Sequence, residues 1–161
     1  MHFRHLALLP VLLVALIGCG KPDSKPSTAS GTPASGRPIE ITANDKMQFS
    51  VAEIRAKPGE ALSVTLLNIG TMPKFSMGHN WVLLVQGTNP EDFVAAGAEA
   101  PTTDYVPAKF KDAIVAHTKL LGPNESDTVT FNAPTTPGRH IFLCSFPGHF
   151  QVGMKGVLII E

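Results

Sequence analysis

CSFPGHFQVGMKGVLII, residues 144–160, joins two segments of different character. Its second half, KGVLII, is a short aliphatic run of the kind that forms a buried strand. Its first half brings a thiol, an imidazole and a thioether (Cys144, His149 and Met154) into one loop bent by Pro147 and Gly148. A loop so rich in donor atoms and anchored on a strand points to a sheet protein, and the flanking sequence supplies the other strands.

IEITA (39–43), MQFSVAEIRA (47–56), ALSVTLLNI (61–69), NWVLLVQ (80–86), IVAHTKLL (114–121), DTVTFNA (127–133), RHIFLCS (139–145) and KGVLIIE (155–161) give about eight strands, rich in β-branched residues or alternating apolar with polar ones. KPGE (57–60), GTMPKFSMG (70–78), GPNES (122–126) and TTPGR (135–139) are turn material between them. One helix is expected, in NPEDFVAAGAEA (89–100). Asn89 can cap it, Pro90 suits the first helical position, and Glu91 and Asp92 favour its positive end. Many short strands with one short helical insert predict an all-β, two-sheet Greek-key sandwich.

The N-terminus has a different purpose. MHFRHLALLPVLLVALIGC has a charged start and an apolar run from Leu6 to Gly18, too short for the roughly 20 residues of a spanning helix, and reads as a signal peptide over 1–18. Leu16-Ile17-Gly18-Cys19 resembles a bacterial lipobox, which implies acylation of Cys19 and attachment to a membrane through lipid. Residues 20–38 are mostly Gly, Pro, Ser, Thr and Ala, so 19–38 reads as a lipidated cysteine with a flexible tether, and 39–161 as the folded domain. The expected location is the periplasm or cell envelope. Gly20 lacks the charge of an aspartate at the position after Cys19, and the outer membrane is the favoured side.

Lys and Arg number 13 and Asp and Glu 13, with no basic face or RNA-type aromatic motif, so nucleic acid is not an expected partner. No nucleophile stands with a base in an arrangement that suggests hydrolysis, and the chain is not expected to be an enzyme.

The chain has two cysteines. Lipidation of Cys19 leaves Cys144 alone, and a disulfide framework is then impossible. Outside the cytoplasm a lone thiol is buried and inert, catalytic, paired with another molecule, or held by a metal. His149 and Met154 favour the last of these, because thiolate, imidazole and thioether together suit copper better than zinc, magnesium or calcium. A second imidazole would complete a His₂Cys set with a weak axial Met, the composition of a blue-copper electron-transfer site. His79, where a Gly-rich loop enters a strand, is the preferred candidate; His117 and His140 fit ordinary strand positions.

MGHNWVL, AHTKLLGPNESDTVTF and CSFPGHFQVGMKGVLII resemble azurin and its bacterial relatives among the cupredoxins, over the domain from ITANDKMQF onward. The resemblance implies one type 1 copper cycling between Cu(I) and Cu(II). His79, Cys144 and His149 would be its ligands, Met154 a weak axial ligand and the Gly78 carbonyl a distant contact. It further implies that the N–H groups of Asn80 and Phe146 face the Cys144 sulfur and that the Asn80 side chain ties its loop to Ser145.

Met72, Met77, Phe146, Pro147, Phe150 and Val152, with Met47 beside them, form the expected docking patch for transient redox partners such as cytochromes or copper/haem oxidoreductases, with the carrier itself a monomer. A copper-delivery protein is the alternative function. Trp81 is expected in the core. The chain departs from azurin in having four residues, FQVG, between His149 and Met154 where azurin has three, the spacing of the auracyanin-type relatives. It also lacks azurin's disulfide, and Asn68 stands where azurin has a pH-sensitive histidine.

Overall fold

A computed structural model describes residues 36–161. The expected signal peptide (1–18), the lipidation site Cys19 and nearly all of the tether lie outside the described residues.

Two sheets face each other. The first runs in the order β2 (Gln48–Phe49), β1 (Arg37–Asn44), β4 (Ala61–Asn68), β7 (Ser126–Asn132). The second runs β3 (Glu53–Ala56), β9 (Lys155–Ile160), β8 (Gly138–Leu143), β5 (Val82–Leu84), β6 (Ile114–His117). Pairings β1–β4 and β3–β9 are parallel and the remainder antiparallel, so the sandwich is mixed.

Strand alternation decides what lies between the sheets. In β4, Leu62, Val64 and Leu66 are buried in the core, while Thr65 and Leu67 on the opposite face are more exposed. β1 contributes Ile41 and Ala43, the second sheet Leu83, Phe142, Leu158 and Ile160, and Cys144, just past the end of β8, joins them. Trp81 sits at the centre, fully buried, with ring centroids 5.5 Å from Phe142 and 5.9 Å from Phe131. Aromatic pairs at such separations add to the area they bury.

Among the described residues nine strands form where about eight were expected, because MQFSVAEIRA contributes to both sheets. Gln48–Phe49 pairs with β1, and Glu53–Ala56 pairs with β9. The crossing lies at Ser50–Ala52, where Ser50 Oγ accepts the Thr42 N–H at 2.8 Å and Ser50 N–H donates to the Thr42 carbonyl at 2.9 Å. Ordinary strand pairing ends there and the chain moves to the second sheet.

NWVLLVQ carries no alternation because β5 is buried on both sides: Leu83 faces the main core, and Val82 and Leu84 join Phe93, Val94, Leu143 and Phe150 under the helix α2 (Pro90–Ala98). Asn89 caps α2, its Oδ1 accepting N–H groups of Glu91 and Asp92. A second helix, α1 (Lys74–Met77), is a single turn inside the stretch expected to be turn only. Main-chain N–H groups of Ser76 and Met77 close it on the Pro73 carbonyl. The loops that enclose the cluster described next gather at one end of the sandwich, and α2 stacks beside them.

Candidate metal centre

His79 follows α1. Its main chain forms an isolated bridge with Leu121: His79 N–H donates to Leu121 O at 3.1 Å, and Leu121 N–H to His79 O at 2.8 Å. Gly78 permits this approach, since a Cβ there would lie 2.6 Å from Lys74 O and 2.9 Å from Leu120 Cγ. Behind the bridge, buried Asn68 donates to Leu121 O at 3.1 Å and accepts Gly70 N–H at 2.8 Å, a fixed amide that carries no charge at any ordinary pH.

Cys144 leaves β8 with its N–H donating to the Met154 carbonyl at 3.1 Å. Met154 N–H donates in turn to His149 O at 3.0 Å, and His149 N–H to Phe146 O at 3.1 Å. These three bonds fold the loop back on itself, so that Cys144, His149 and Met154 share one closed turn. Gly153, the last of the four residues before Met154, adopts φ +99°, and Gly148 adopts φ +88°. Gly153 has open space where a Cβ would stand, so Gly153→Ala is expected to cost about 1–2 kcal/mol of denaturant stability from backbone conformation alone.

The donor atoms of His79, Cys144 and His149 all lie within 4.8 Å of one another, and all three residues are buried. Cys144 Sγ is 3.4 Å from His149 Nδ1, and the two imidazole rings are 4.9 Å apart between centroids. Among the described residues no well-formed hydrogen bond reaches either ring nitrogen of His79, an expensive condition for a buried polar group that a ligand would relieve. His117, exposed, and His140, buried elsewhere, are not members of the cluster.

Burial pushes the Cys144 thiol up to about 12, even though N–H groups of Asn80 and Phe146 point at the sulfur and favour the thiolate. Burial, reinforced by the neighbouring His79, lowers His149 to about 4. His79 is lowered by burial too, against the opposing pull of the Asn44 main chain and the Asp45 carboxylate. At neutral pH, without a metal, the three side chains are therefore a neutral thiol and two neutral imidazoles. Coordination as thiolate must release the thiol proton.

A histidine whose pKa is depressed on folding contributes stability that is present above its unfolded value of about 6.5 and is lost as pH falls towards the folded value. For His149 that window runs from about 6.5 to about 4. Metal-free protein is expected to lose about 2 kcal/mol between pH 7.5 and 5, read by urea denaturation, with the copper-loaded protein losing less.

The surrounding groups brace the two loops. Asn80 Oδ1 accepts Ser145 N–H at 2.8 Å, while its Nδ2 donates to Ser145 Oγ and to the Asp104 carbonyl, both at 2.8 Å. Trp81 N–H donates to buried Thr118 Oγ1 at 3.0 Å. The Phe146 ring lies against His149 at 4.7 Å and meets Tyr105 edge-on at 5.0 Å. No sequence signal marked Asn44, Asp104, Tyr105 or Thr118, which act through main-chain atoms or through contacts that exist only after folding.

Two members of the expected docking patch lie inside. Phe150 is 5% exposed and packs under α2, and Phe146 is 8% exposed and wedged between His149 and Tyr105. Both are large aromatics in a loop that has core on two sides. Met72, Pro147 and Val152 are exposed, Met77 and Met47 half-buried. Phe75 on α1, absent from the expected patch, is the most exposed large apolar side chain among the described residues, at 83%.

Two imidazoles and one thiol, enclosed by the end loops of a two-sheet β-sandwich, define a cupredoxin with a single type 1 copper site. A family model for copper binding proteins of the plastocyanin/azurin family matches residues 38–161, and the chain belongs to that family. It is 41% identical over 125 residues to the azurin of Achromobacter denitrificans, covering 73% of this chain and 80% of the relative. It is 38% identical to outer membrane protein H.8 of Neisseria meningitidis over 184 aligned positions, covering 98% of each. The solved structure of auracyanin A, a "blue" copper protein of Chloroflexus aurantiacus, superposes with a TM-score of 0.69 at 29% identity, over 78% of this chain and 99% of that one. The dithionite-reduced auracyanin of Roseiflexus castenholzii gives 0.64 at 36% identity, over 77% and 96%. Members with this site are blue copper electron carriers rather than enzymes, and copper is the cofactor that His79, Cys144 and His149 are poised to hold.

Proposed function

We propose that this protein shuttles single electrons between redox proteins at the bacterial cell envelope, held to the outer membrane through lipid on Cys19 and working as a monomer. The observation that carries the reading is a buried thiol–diimidazole cage whose flanking segments, 70–78 and 144–154, expose apolar side chains at Met72, Phe75, Pro147 and Val152. Bound copper supplies a one-electron Cu(II)/Cu(I) couple. Cys144 supplies a thiolate whose charge the Asn80 and Phe146 N–H groups share, and His79 and His149 remain neutral donors suited to both oxidation states. Fully buried Met154 would offer its thioether, and Gly78 its main-chain carbonyl, as weak further donors. The hydrogen-bonded loops hold these donors still, which limits reorganisation between oxidation states.

Cytochromes and copper or haem oxidoreductases are the proposed partners. The exposed apolar groups would give them a weak, quickly released contact. The resemblance over nearly full length to a relative named as an outer membrane protein supports the envelope location.

Reversible one-electron voltammetry of the copper-loaded protein tests the carrier role, and an irreversible response would favour copper delivery instead. Val152→Glu is expected to slow the bimolecular reaction with a c-type cytochrome about tenfold without altering the visible spectrum; equal rates would remove this rim from docking. Fractionation of cells making Cys19→Ala tests the anchor: retention of that variant in the membrane would overturn it.

A further inference from the structure

A third segment reaches the metal centre from outside the two ligand loops. After α2, residues 100–106 coil on themselves: Ala100 O accepts Thr103 N–H at 3.2 Å and Tyr105 N–H at 3.0 Å, and Thr103 Oγ1 donates to Val106 O at 2.9 Å. The coil ends in Asp104 (φ +57°) and Tyr105 (φ +60°), consecutive non-glycine residues in left-handed backbone. That conformation is uncommon for such residues and persists where the surroundings determine it.

The surroundings here are copper-site residues. Asp104 O receives Asn80 Nδ2 at 2.8 Å, and the Tyr105 ring meets the Phe146 ring at 5.0 Å and 65°. On the other side stands Gly97 in the last turn of α2. A Cβ at Gly97 would lie 2.6 Å from Tyr105 O, a backbone atom that cannot swing away, and 3.7 Å from the carbonyl of Ser145, the residue after Cys144. The glycine thus lets α2 seat directly on the strap and on the thiolate loop. Asn80 and Phe146, the copper-site residues that the strap touches, are the two whose N–H groups point at the Cys144 sulfur.

We infer that Gly97 and the Asp104–Tyr105 strap form a positioning element of the copper site, fixing both N–H donors against the sulfur and thereby setting the reduction potential. The inference rests on the copper reading above. Donors that withdraw charge from the thiolate make it a weaker partner for Cu(II); donors displaced by a shifted strap leave a more basic sulfur and a lower potential.

The test is Gly97→Ala in the full chain. Its potential is expected to fall and its visible thiolate band to move. In the metal-free variant, amide hydrogen exchange at Asn80 and Phe146 is expected to quicken about tenfold as the brace loosens. Gly87→Ala is the control, a glycine at φ +85° with no atom near its missing Cβ, which is expected to lose stability yet keep the wild-type band and potential. Tyr105→Leu, which removes the edge-on ring without adding a clash, is expected to shift band and potential in the same direction by less, and it decides the matter if Gly97→Ala fails to fold. Wild-type band, potential and amide exchange in a folded Gly97→Ala, or unchanged band and potential in Tyr105→Leu, would overturn the inference. A wild-type protein that forms no such band with copper would instead overturn the copper reading itself.

Discussion

Cys144→Ser is expected to abolish the intense visible band of the copper-loaded protein and to weaken copper binding by more than about 100-fold, because loss of even an outer partner of a metal ligand costs about 10–100-fold. The band requires charge transfer from a soft thiolate, which a serine oxygen cannot supply. Cys144 is fully buried and accepts N–H groups from Asn80 and Phe146. A serine hydroxyl has nearly the same shape and can accept the same donors, so the metal-free variant should remain folded. Titration with Cu(II), followed by absorbance and by far-UV circular dichroism, separates the two effects. A variant that folds and keeps the band would remove Cys144 from the site.

Asn80→Ala is expected to destabilise the metal-free protein by about 3–4 kcal/mol, among the largest effects available to a single polar side chain here. The Asn80 amide makes three hydrogen bonds, two to Ser145 and one to the Asp104 carbonyl, all at 2.8 Å. Truncation leaves the buried Ser145 N–H and hydroxyl and the Asp104 carbonyl without this partner, at about 1–3 kcal/mol for each buried group left unsatisfied. Asn80 and Ser145 lie 65 residues apart in sequence, so the loss also uncouples the loop of His79 from the loop of Cys144. Copper affinity is therefore expected to fall together with stability. A urea midpoint within experimental error of wild type would show that the amide bonds are replaceable by water.

Much of the architecture is legible in the chain because the relevant information is local. Alternation in ALSVTLLN places Leu62, Val64 and Leu66 on one face, and NPED specifies the start of α2 through a cap, a fixed φ and two acidic residues. The strand count fell short at MQFSVAEIRA because a change of sheet leaves almost no mark on the period of a sequence. α1 went unread because a single turn closed on Pro73 has too few residues to show a helical repeat.

The ligand loop shows the same division. The donor types Cys144, His149 and Met154, and the glycine and proline that bend the chain between them, are properties of a contiguous stretch whose chemistry already favours copper. Whether a side chain in that stretch faces solvent is not. Phe150 and Val152 sit two positions apart in the same turn, yet Phe150 is 5% exposed and Val152 61%. α2 packs over the first, and no described segment covers the second.

The sequence by itself determined the strand faces, the cap of α2 and the set of donor atoms, since each follows from residue type and short-range spacing. Only the tertiary structure decided that His79 meets Cys144 and His149 within 4.8 Å, that two N–H groups converge on one sulfur, and that Gly97 admits a helix against the strap that braces them. These are distances between segments far apart in the chain, and they are fixed by how the two sheets and α2 pack, which no local pattern encodes.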